Sequence, residues 1–127
     1  MTKQAKILIV EDDADLNAAY RMILQSAGYD VVSAFNGEEA LEKISQSGDP
    51  AVILLDLRMP VMDGLEFLRR YDAPSHKDTT IVVFSNYDEE KEVDDAYLLG
   101  AHRYVLKARA APKELIMIVK SILKKED

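Results

Sequence analysis

The sequence contains no cysteine, and this absence removes several classes of protein at once. It excludes a disulfide framework, a thiolate metal site and a cysteine nucleophile, and it is compatible with a reducing compartment. No apolar run approaches the roughly 18 residues that a membrane span needs, and the polar first six residues are followed by no signal-peptide core. We therefore expect a cytoplasmic protein without membrane insertion.

An excess of basic residues is also missing. Lysine and arginine number 16 against 23 aspartates and glutamates, which gives a formal net charge of −7. Direct binding to nucleic acid is therefore not expected, because phosphate contacts need clustered cations. The 127 residues are 48% apolar and 31% charged, and they contain no repeat, low-complexity tract or linker. This composition predicts one folded domain over residues 1–127.

Three short apolar runs are rich in β-branched residues and lack polar alternation, which is typical of strands buried on both faces. They cover residues 7–10, 51–55 and 81–84. A weaker strand is predicted at 30–35 and a fifth strand at 102–106. Stretches with helical spacing lie between and after them. The alternation predicts an α/β fold of the flavodoxin-like type, a doubly wound (βα)5 parallel sheet in the order 2-1-3-4-5.

Capping residues predict where the helices begin. Asp13 or Asp15 would cap the first helix, Asn36 the second and Asp63 the third. The fourth helix is predicted to begin at Asp88, with an apolar side that comprises Val93, Ala96, Tyr97 and Leu98. This helix is strongly acidic, which indicates either a solvated face or a docking surface for a basic partner.

Ionisable and polar residues follow the predicted strands at their carboxyl ends, where such sheets bind ligands. Glu11 and Asp12 follow the first strand, Asp56 the third, Ser85 the fourth and Lys107 the fifth. The acids after the first strand could simply cap a helix, but Asp56 has no helix to cap. Three clustered carboxylates favour Mg²⁺, while a lysine and a hydroxyl suit an anionic group on an aspartate. Together they indicate phosphoryl transfer.

These residues resemble the receiver domain of two-component response regulators. The resemblance rests on Glu11-Asp12, on the segment LLDLRMPVMDG at 54–64, and on Ser85, Tyr104 and Lys107 in order. It implies a signalling protein that takes a phosphoryl group from a histidine kinase or a histidine phosphotransfer protein and catalyses only its own phosphorylation and dephosphorylation. A stand-alone, single-domain regulator is expected, because the sequence ends soon after the last helix.

The resemblance also implies a role for each matching residue around the metal. Asp56 would be the phosphoacceptor, and Asp12 and Asp56 would bind Mg²⁺ directly together with the backbone carbonyl of Arg58. Glu11 would act on the metal through water. Each of these assignments is carried over from the family to the matching position of this sequence.

Ser85 and Lys107 would hold the phosphoryl oxygens, and Tyr104 would turn inward when Ser85 shifts. That movement would reshape the face formed by helix four, strand five and helix five, where a downstream protein target would bind. Two positions depart from the family pattern: Ala108 follows Lys107 where proline is usual, and Asn86 follows Ser85 where a small residue is usual. A cis peptide before Ala108 would cost about 2.5–4 kcal/mol, so the sequence leaves its isomer open.

In the family that this sequence resembles, the positions of Arg58 and Tyr87 flank the path of the hydrolytic water, so we expect these two bulky residues to slow dephosphorylation. Three other functions compete with a phosphorylation switch. A degenerate receiver would bind partners constitutively, and an aspartyl-phosphate phosphatase would need a second aspartate at the position of Arg58. An FMN-binding protein would need phosphate donors in the first loop, which instead is acidic.

Overall fold

The structure is a computed structural model and describes residues 5–86, 89–107 and 111–124. These residues form five strands, five α-helices and a short 3-10 helix at Ala73–Ser75. The strands are β1 Lys6–Val10, β2 Asp30–Ala34, β3 Val52–Leu55, β4 Thr80–Ser85 and β5 Arg103–Leu106. The helices are α1 Ala14–Ser26, α2 Gly37–Ser47, α3 Gly64–Tyr71, α4 Glu90–Leu98 and α5 Pro112–Lys124.

All strand pairs of the sheet are parallel, and their order is β2-β1-β3-β4-β5. This order confirms the predicted flavodoxin-like fold. The two strands with the purest apolar sequence, β1 and β3, lie side by side, with Leu8 opposite Ile53. The carboxyl ends of β1, β3 and β4 therefore meet at one edge of the sheet.

Helices cover both faces of the sheet, and each face has its own apolar core. One core, which we call the α2–α3–α4 core, packs Ala40, Phe67, Leu68 and Ala96 against the sheet. The other packs α1 and α5 against the opposite face. Burial on both faces explains why the inner strands carry continuous apolar runs rather than an alternating pattern. Among the described helices, none has the length and apolar character that crossing a bilayer requires.

Side-chain caps at the starts of α1, α2 and α3 confirm the predicted helix boundaries. Each cap accepts a hydrogen bond from the backbone N–H three residues later, a contact that typically contributes about 1 kcal/mol. The caps are Asp13, Asn36 and Asp63, and the donors are Leu16, Glu39 and Glu66, at 3.1, 2.8 and 2.9 Å. Asp13, and not Asp15, is therefore the cap of α1.

The prediction for the apolar side of α4 was partly wrong. Tyr97 is 46% exposed and Leu98 is 82% exposed, whereas Ala96 is buried and Leu99 packs on the α2–α3–α4 core. Residues three apart share a helix face, so the face with the half-buried Val93 and Leu99 and the buried Ala96 turns Tyr97 and Leu98 towards solvent. The helix begins at Glu90, and the predicted start at Asp88 lies outside the described residues.

The fifth strand is one residue shorter than predicted. His102 precedes β5, and its Nδ1 accepts a hydrogen bond of 3.0 Å from the backbone N–H of Ile81. The backbone N–H of His102 in turn donates to the Ile81 carbonyl at 2.9 Å, so His102 contacts the amino end of β4 through both its ring and its backbone. Gly100, with φ of +113°, ends the preceding helix segment as predicted, because this conformation favours glycine.

Candidate functional site

Backbone hydrogen bonds place Glu11 and Asp56 next to each other. The pairing of the sheet continues one residue beyond the strands: the N–H of Asp56 donates to the Val10 carbonyl at 2.9 Å. On the other side of β1, the N–H of Glu11 donates to the Ala34 carbonyl at 3.1 Å. The two acidic residues therefore lie side by side, each directly after one of two adjacent strands.

A buried amide on α1 holds this end of β1 in place. The Nδ2 group of Asn17 donates to the carbonyls of Glu11 and Ala34, at 2.9 and 3.1 Å. Asn17 is 1% exposed and was not identified from the sequence. A usable signal was present, because Asn17 occupies the same helix face as Tyr20 and Leu24, where a polar residue needs a buried partner.

A glycine lets α3 pack directly against the backbone of Asp56. A Cβ atom at Gly64 would lie 2.6 Å from the Asp56 carbonyl oxygen and 2.7 Å from the Cα of Leu57, closer than atoms can approach. The N–H of Gly64 donates to the Leu57 carbonyl at 2.8 Å. The start of α3 thus fixes the loop that carries Asp56, and any side chain at Gly64 would displace it.

The ionisable side chains converge as the sequence predicts. One carboxylate oxygen each from Glu11, Asp12 and Asp56 lie within 4.8 Å of one another. The Nζ of Lys107 forms an ion pair with Glu11 and lies 3.3 Å from the Oδ2 of Asp56. These four side chains belong to a cleft of about 260 Å³, which we call the acceptor cleft. Among the described residues, its lining is Glu11, Asp12, Asp13, Leu16, Asp56, Arg58, Asn86 and Lys107.

Burial makes this cluster electrostatically unfavourable when no further cation is bound. It raises the pKa of Glu11 to about 7, although the hydrogen bonds from Lys107 and the Asp13 backbone oppose the shift. Burial also raises the pKa of Asp56, and the neighbouring Lys107 cation opposes this shift too. For Lys107, burial lowers the pKa, but the Glu11 and Asp56 carboxylates outweigh it and the net shift is upward.

The donor set fits a hard divalent cation. It offers three carboxylates against one lysine, with Asp12 exposed and Glu11 and Asp56 buried. Oxygen ligands in this number, with access to water on one side, are what Mg²⁺ prefers in proteins. A bound dication would compensate the buried negative charge of these carboxylates, whose removal from water raises the pKa of Glu11 and of Asp56.

Comparison with known proteins assigns the chain to a family. The family model of the response regulator receiver domain matches residues 7–120. The chain belongs to this family. Among curated proteins, it is 32% identical over 120 residues to the transcriptional regulatory protein SrrA of Staphylococcus aureus strain NCTC 8325, a match that covers 94% of this chain and 48% of SrrA. The chain thus spans about half the length of the curated relatives it matches.

Solved structures of receiver domains superpose closely on the chain. A CheY-like receiver domain protein from Methanospirillum hungatei JF-1 has a TM-score of 0.88 at 26% identity, covering 97% of this chain and 96% of that one. The chemotaxis response regulator CheY4 of Vibrio cholerae has a TM-score of 0.83 at 30% identity, covering 94% and 99%. The sheet order and helix positions are therefore those of a receiver domain.

Of the two residues predicted to hold the phosphoryl oxygens, Lys107 lines the acceptor cleft, whereas Ser85 is not among the described residues of its lining. Ser85 is fully buried at the end of β4, opposite Leu106, so it lies beside the strand that leads to Lys107. Asn86 is exposed and lines the cleft. Tyr87 and Ala108 lie outside the described residues, so the isomer of the Lys107–Ala108 peptide stays open, as the sequence left it.

Tyr104 lies on β5 opposite Val83 and packs against the α2–α3–α4 core, half-buried. This environment agrees both with a structural aromatic residue and with a side chain that moves between two positions. Its role as a switch therefore stays a prediction.

Arg58 makes a contact that the sequence did not predict. Its Nη2 lies 3.0 Å from Glu92 Oε2 and 3.8 Å from Glu89 Oε1, so it joins the loop after Asp56 to the start of α4. The acidic composition of α4 was noted in the sequence, but no spacing rule relates residues 34 positions apart.

Proposed function

We propose that this receiver domain is a phosphorylation-dependent signalling switch that accepts a phosphoryl group on Asp56. The observation that carries the proposal is the position of the Asp56 carboxylate, 3.3 Å from the Lys107 ammonium group and within a three-carboxylate cluster. A nucleophilic carboxylate beside a cation and a candidate metal site has what phosphoryl transfer requires.

Mg²⁺ is the cofactor in this proposal. Asp12 and Asp56 would bind it directly with the backbone carbonyl of Arg58, and Glu11 would act through a bound water. When bound, the ion neutralises negative charge on the phosphoryl oxygens. The shared cluster of Glu11, Asp12 and Asp56 oxygens supports this assignment.

The donor would be a phosphohistidine of a histidine kinase or of a histidine phosphotransfer protein. A carboxylate oxygen of Asp56 would attack phosphorus, and an O–P bond would form as the P–N bond breaks. The leaving imidazole would keep the electron pair of the P–N bond and take a proton from water. Lys107 and Ser85 would hold the phosphoryl oxygens, and Asn86 can add an amide donor from the cleft wall. Because Asp56 is buried, the site favours transfer from a positioned donor over loss to bulk water.

The output would be a change in affinity for a protein target, transmitted by Ser85 and Tyr104 to the face formed by α4, β5 and α5. Exposed apolar side chains on the two helices support an interaction surface there: Leu98 is 82% exposed and Met117 is 69% exposed. Within this proposal the domain catalyses only its own phosphorylation and dephosphorylation, acts in the cytoplasm and contacts no nucleic acid directly.

The test is the intact mass of the protein after incubation with Mg²⁺ and acetyl phosphate. We expect one added phosphate on the wild type and none on Asp56→Asn or in EDTA, with Asp63→Asn as a matched control that keeps the phosphate. Mg²⁺ binding without phosphate uptake, from acetyl phosphate and from a phosphohistidine donor alike, would instead support a degenerate receiver. Turnover of a phosphomonoester would support a phosphatase.

A further inference from the structure

Arg58 lies between two clefts of the molecule. It lines the acceptor cleft, two residues after Asp56. It also lines a second cleft of about 450 Å³, which we call the α4 groove, between the β3–α3 loop and α4. Among the described residues, it is the one side chain that these two linings share. A guanidinium on a long flexible stem at this point can serve carboxylates or phosphoryl oxygens on either side.

In this structure the guanidinium group is held on the side of α4. The Nη2 of Arg58 lies 3.0 Å from the Oε2 of Glu92, whose side chain is 14% exposed. Glu89 is farther away, at 3.8 Å, and its side chain is 73% exposed. Partly buried pairs are screened less by salt and water than exposed pairs, so Glu92 provides the dominant attraction.

Phosphorylation of Asp56 would create a second anionic partner for the Arg58 guanidinium. A phosphoryl group on Asp56 replaces one negative charge with about two and adds three acceptor oxygens. Guanidinium groups bind phosphoryl oxygens well because their planar donors match the acceptor geometry. The phosphoryl group and Glu92 would then compete for one cation, and each would weaken the hold of the other by the same factor.

We propose that Glu92 is a positioning residue for phosphoryl transfer: it holds Arg58 on α4 and thereby slows phosphorylation of Asp56. The inference rests on the proposed function. It also supplies a second route from the site to α4, because occupancy of Asp56 draws Arg58 towards the acceptor cleft and releases the contact with Glu92. Among the described residues of α4, Ala96 is the one fully buried side chain. Few buried contacts therefore oppose a shift of this helix when Arg58 leaves it.

The experiment is a double-mutant cycle on the rate of phosphorylation. The full chain is incubated with Mg²⁺ and acetyl phosphate, and the phosphorylated fraction is followed by intact mass over time. Glu92→Gln removes the closer of the two acidic contacts that hold the guanidinium on α4. It should raise the rate about two- to fivefold, the range expected for the loss of a partly exposed ion pair. In an Arg58→Gln background the same change should leave the rate unchanged.

Asp94→Asn is the matched control, because it removes one negative charge from an exposed position of the same helix. It should leave the rate within about 1.5-fold of the wild type, since exposed charges at a distance are screened. Equal acceleration by Glu92→Gln and Asp94→Asn, or by Glu92→Gln in both arginine backgrounds, would overturn the inference in favour of a general field effect. An unchanged or slower Glu92→Gln variant would also overturn it.

The same experiment separates this inference from the proposed function. Phosphate uptake at equal rates by wild type and Glu92→Gln overturns only the role of Glu92. Absence of uptake by the wild type, from acetyl phosphate and from a phosphohistidine donor, overturns both. Hydrogen exchange adds an independent readout: phosphorylation should increase amide exchange in the first turn of α4 in the wild type. Glu92→Gln should show the increase before phosphorylation.

Discussion

The two ends of the β-sheet differ in how completely their polar side chains are paired. At the carboxyl ends, the acceptor cleft holds three carboxylates around one lysine, and burial raises the pKa of two of the acids. At the amino ends, a second set of polar side chains, which we call the amino-end network, has matched donors and acceptors. It comprises Asp49, Tyr71, His76 and Thr79 together with the Pro50 carbonyl.

The amino-end network joins the segments that lead into β3 and β4. The Thr79 hydroxyl donates to the Pro50 carbonyl at 2.7 Å, and the Tyr71 hydroxyl lies 3.0 Å from Asp49 Oδ1. The His76 ring stacks on Tyr71 with centroids 4.1 Å apart, and its Nδ1 lies 2.7 Å from Asp49 Oδ2. Burial raises the pKa of Tyr71 to about 12, so its hydroxyl stays protonated as a donor.

This difference indicates that the acceptor cleft serves function and that the amino-end network stabilises the fold. Satisfied polar groups contribute to stability, whereas like charges gathered in a cleft reduce it until a ligand compensates them. Under the proposed function, a bound cation and a phosphoryl group on Asp56 would provide this compensation. The following predictions test this contrast, beginning with the largest effect.

The largest expected effect is a loss of stability with rising pH in EDTA. Glu11 has a folded-state pKa of about 7 against an ordinary value of 4.5. Between these values the native state keeps a proton that the unfolded state has lost, so the free energy of unfolding falls as pH rises through this window. The shift corresponds to roughly 3 kcal/mol. Urea unfolding at a series of pH values measures it.

Glu11→Gln removes the titrating group and should flatten this pH profile. Glu42→Gln on the exposed side of α2 is the control and should keep the wild-type slope. Saturating Mg²⁺ should also flatten the wild-type profile, because the metal binds the deprotonated form. An unchanged slope in Glu11→Gln would show that the pH dependence arises elsewhere.

Thr79→Val should lower the free energy of unfolding by about 2 kcal/mol, because it leaves the buried Pro50 carbonyl without its donor. Urea denaturation at pH 7 measures the change. Thr80→Val makes the same substitution one residue later, at a half-buried position on β4, and should change stability by less than about 0.5 kcal/mol. Equal losses in the two variants would mean that the amino-end network adds nothing specific.

Asp56→Asn should have the opposite sign and raise the free energy of unfolding in EDTA by about 1–2 kcal/mol. It removes a buried charge whose raised pKa shows that burial outweighs the attraction of Lys107. Mg²⁺ should then stabilise the wild type more than the variant, which thermal unfolding with and without the ion measures. Destabilisation of the variant in EDTA would show that the contact with Lys107 dominates.

The smallest expected effect concerns backbone strain beside the site. Val61 has φ of +68°, in a turn closed by a 2.7 Å hydrogen bond from the Met62 N–H to the Pro60 carbonyl. A β-branched residue is strained in this conformation, and asparagine tolerates it better. Val61→Asn should raise the free energy of unfolding by about 0.5–1 kcal/mol. Val61→Ile retains the branching and should change nothing.

Much of the site was predictable because its residues follow strands whose edges converge. The three carboxylates and Lys107 were assigned by their positions after apolar runs, and the structure brings them together. Asn17 was missed although its place on the apolar face of α1 showed that it needs a buried partner, because its acceptors, the carbonyls of Glu11 and Ala34, become neighbours only in the folded sheet. The exposure of Tyr97 and Leu98 was missed because α4 is short, and small differences in its rotation decide which apolar residues face the sheet.

The sequence by itself determined the order of the elements, the caps of three helices and the carboxyl-end location of the acidic residues. These features depend on local periodicity and on the rule that parallel strands end at one edge. Only the tertiary structure decided that Glu92 pairs with Arg58, that Glu11 holds a raised pKa and that Asp49 joins His76 to Tyr71. Those features depend on distances and burial between residues far apart in the chain, which no local pattern encodes.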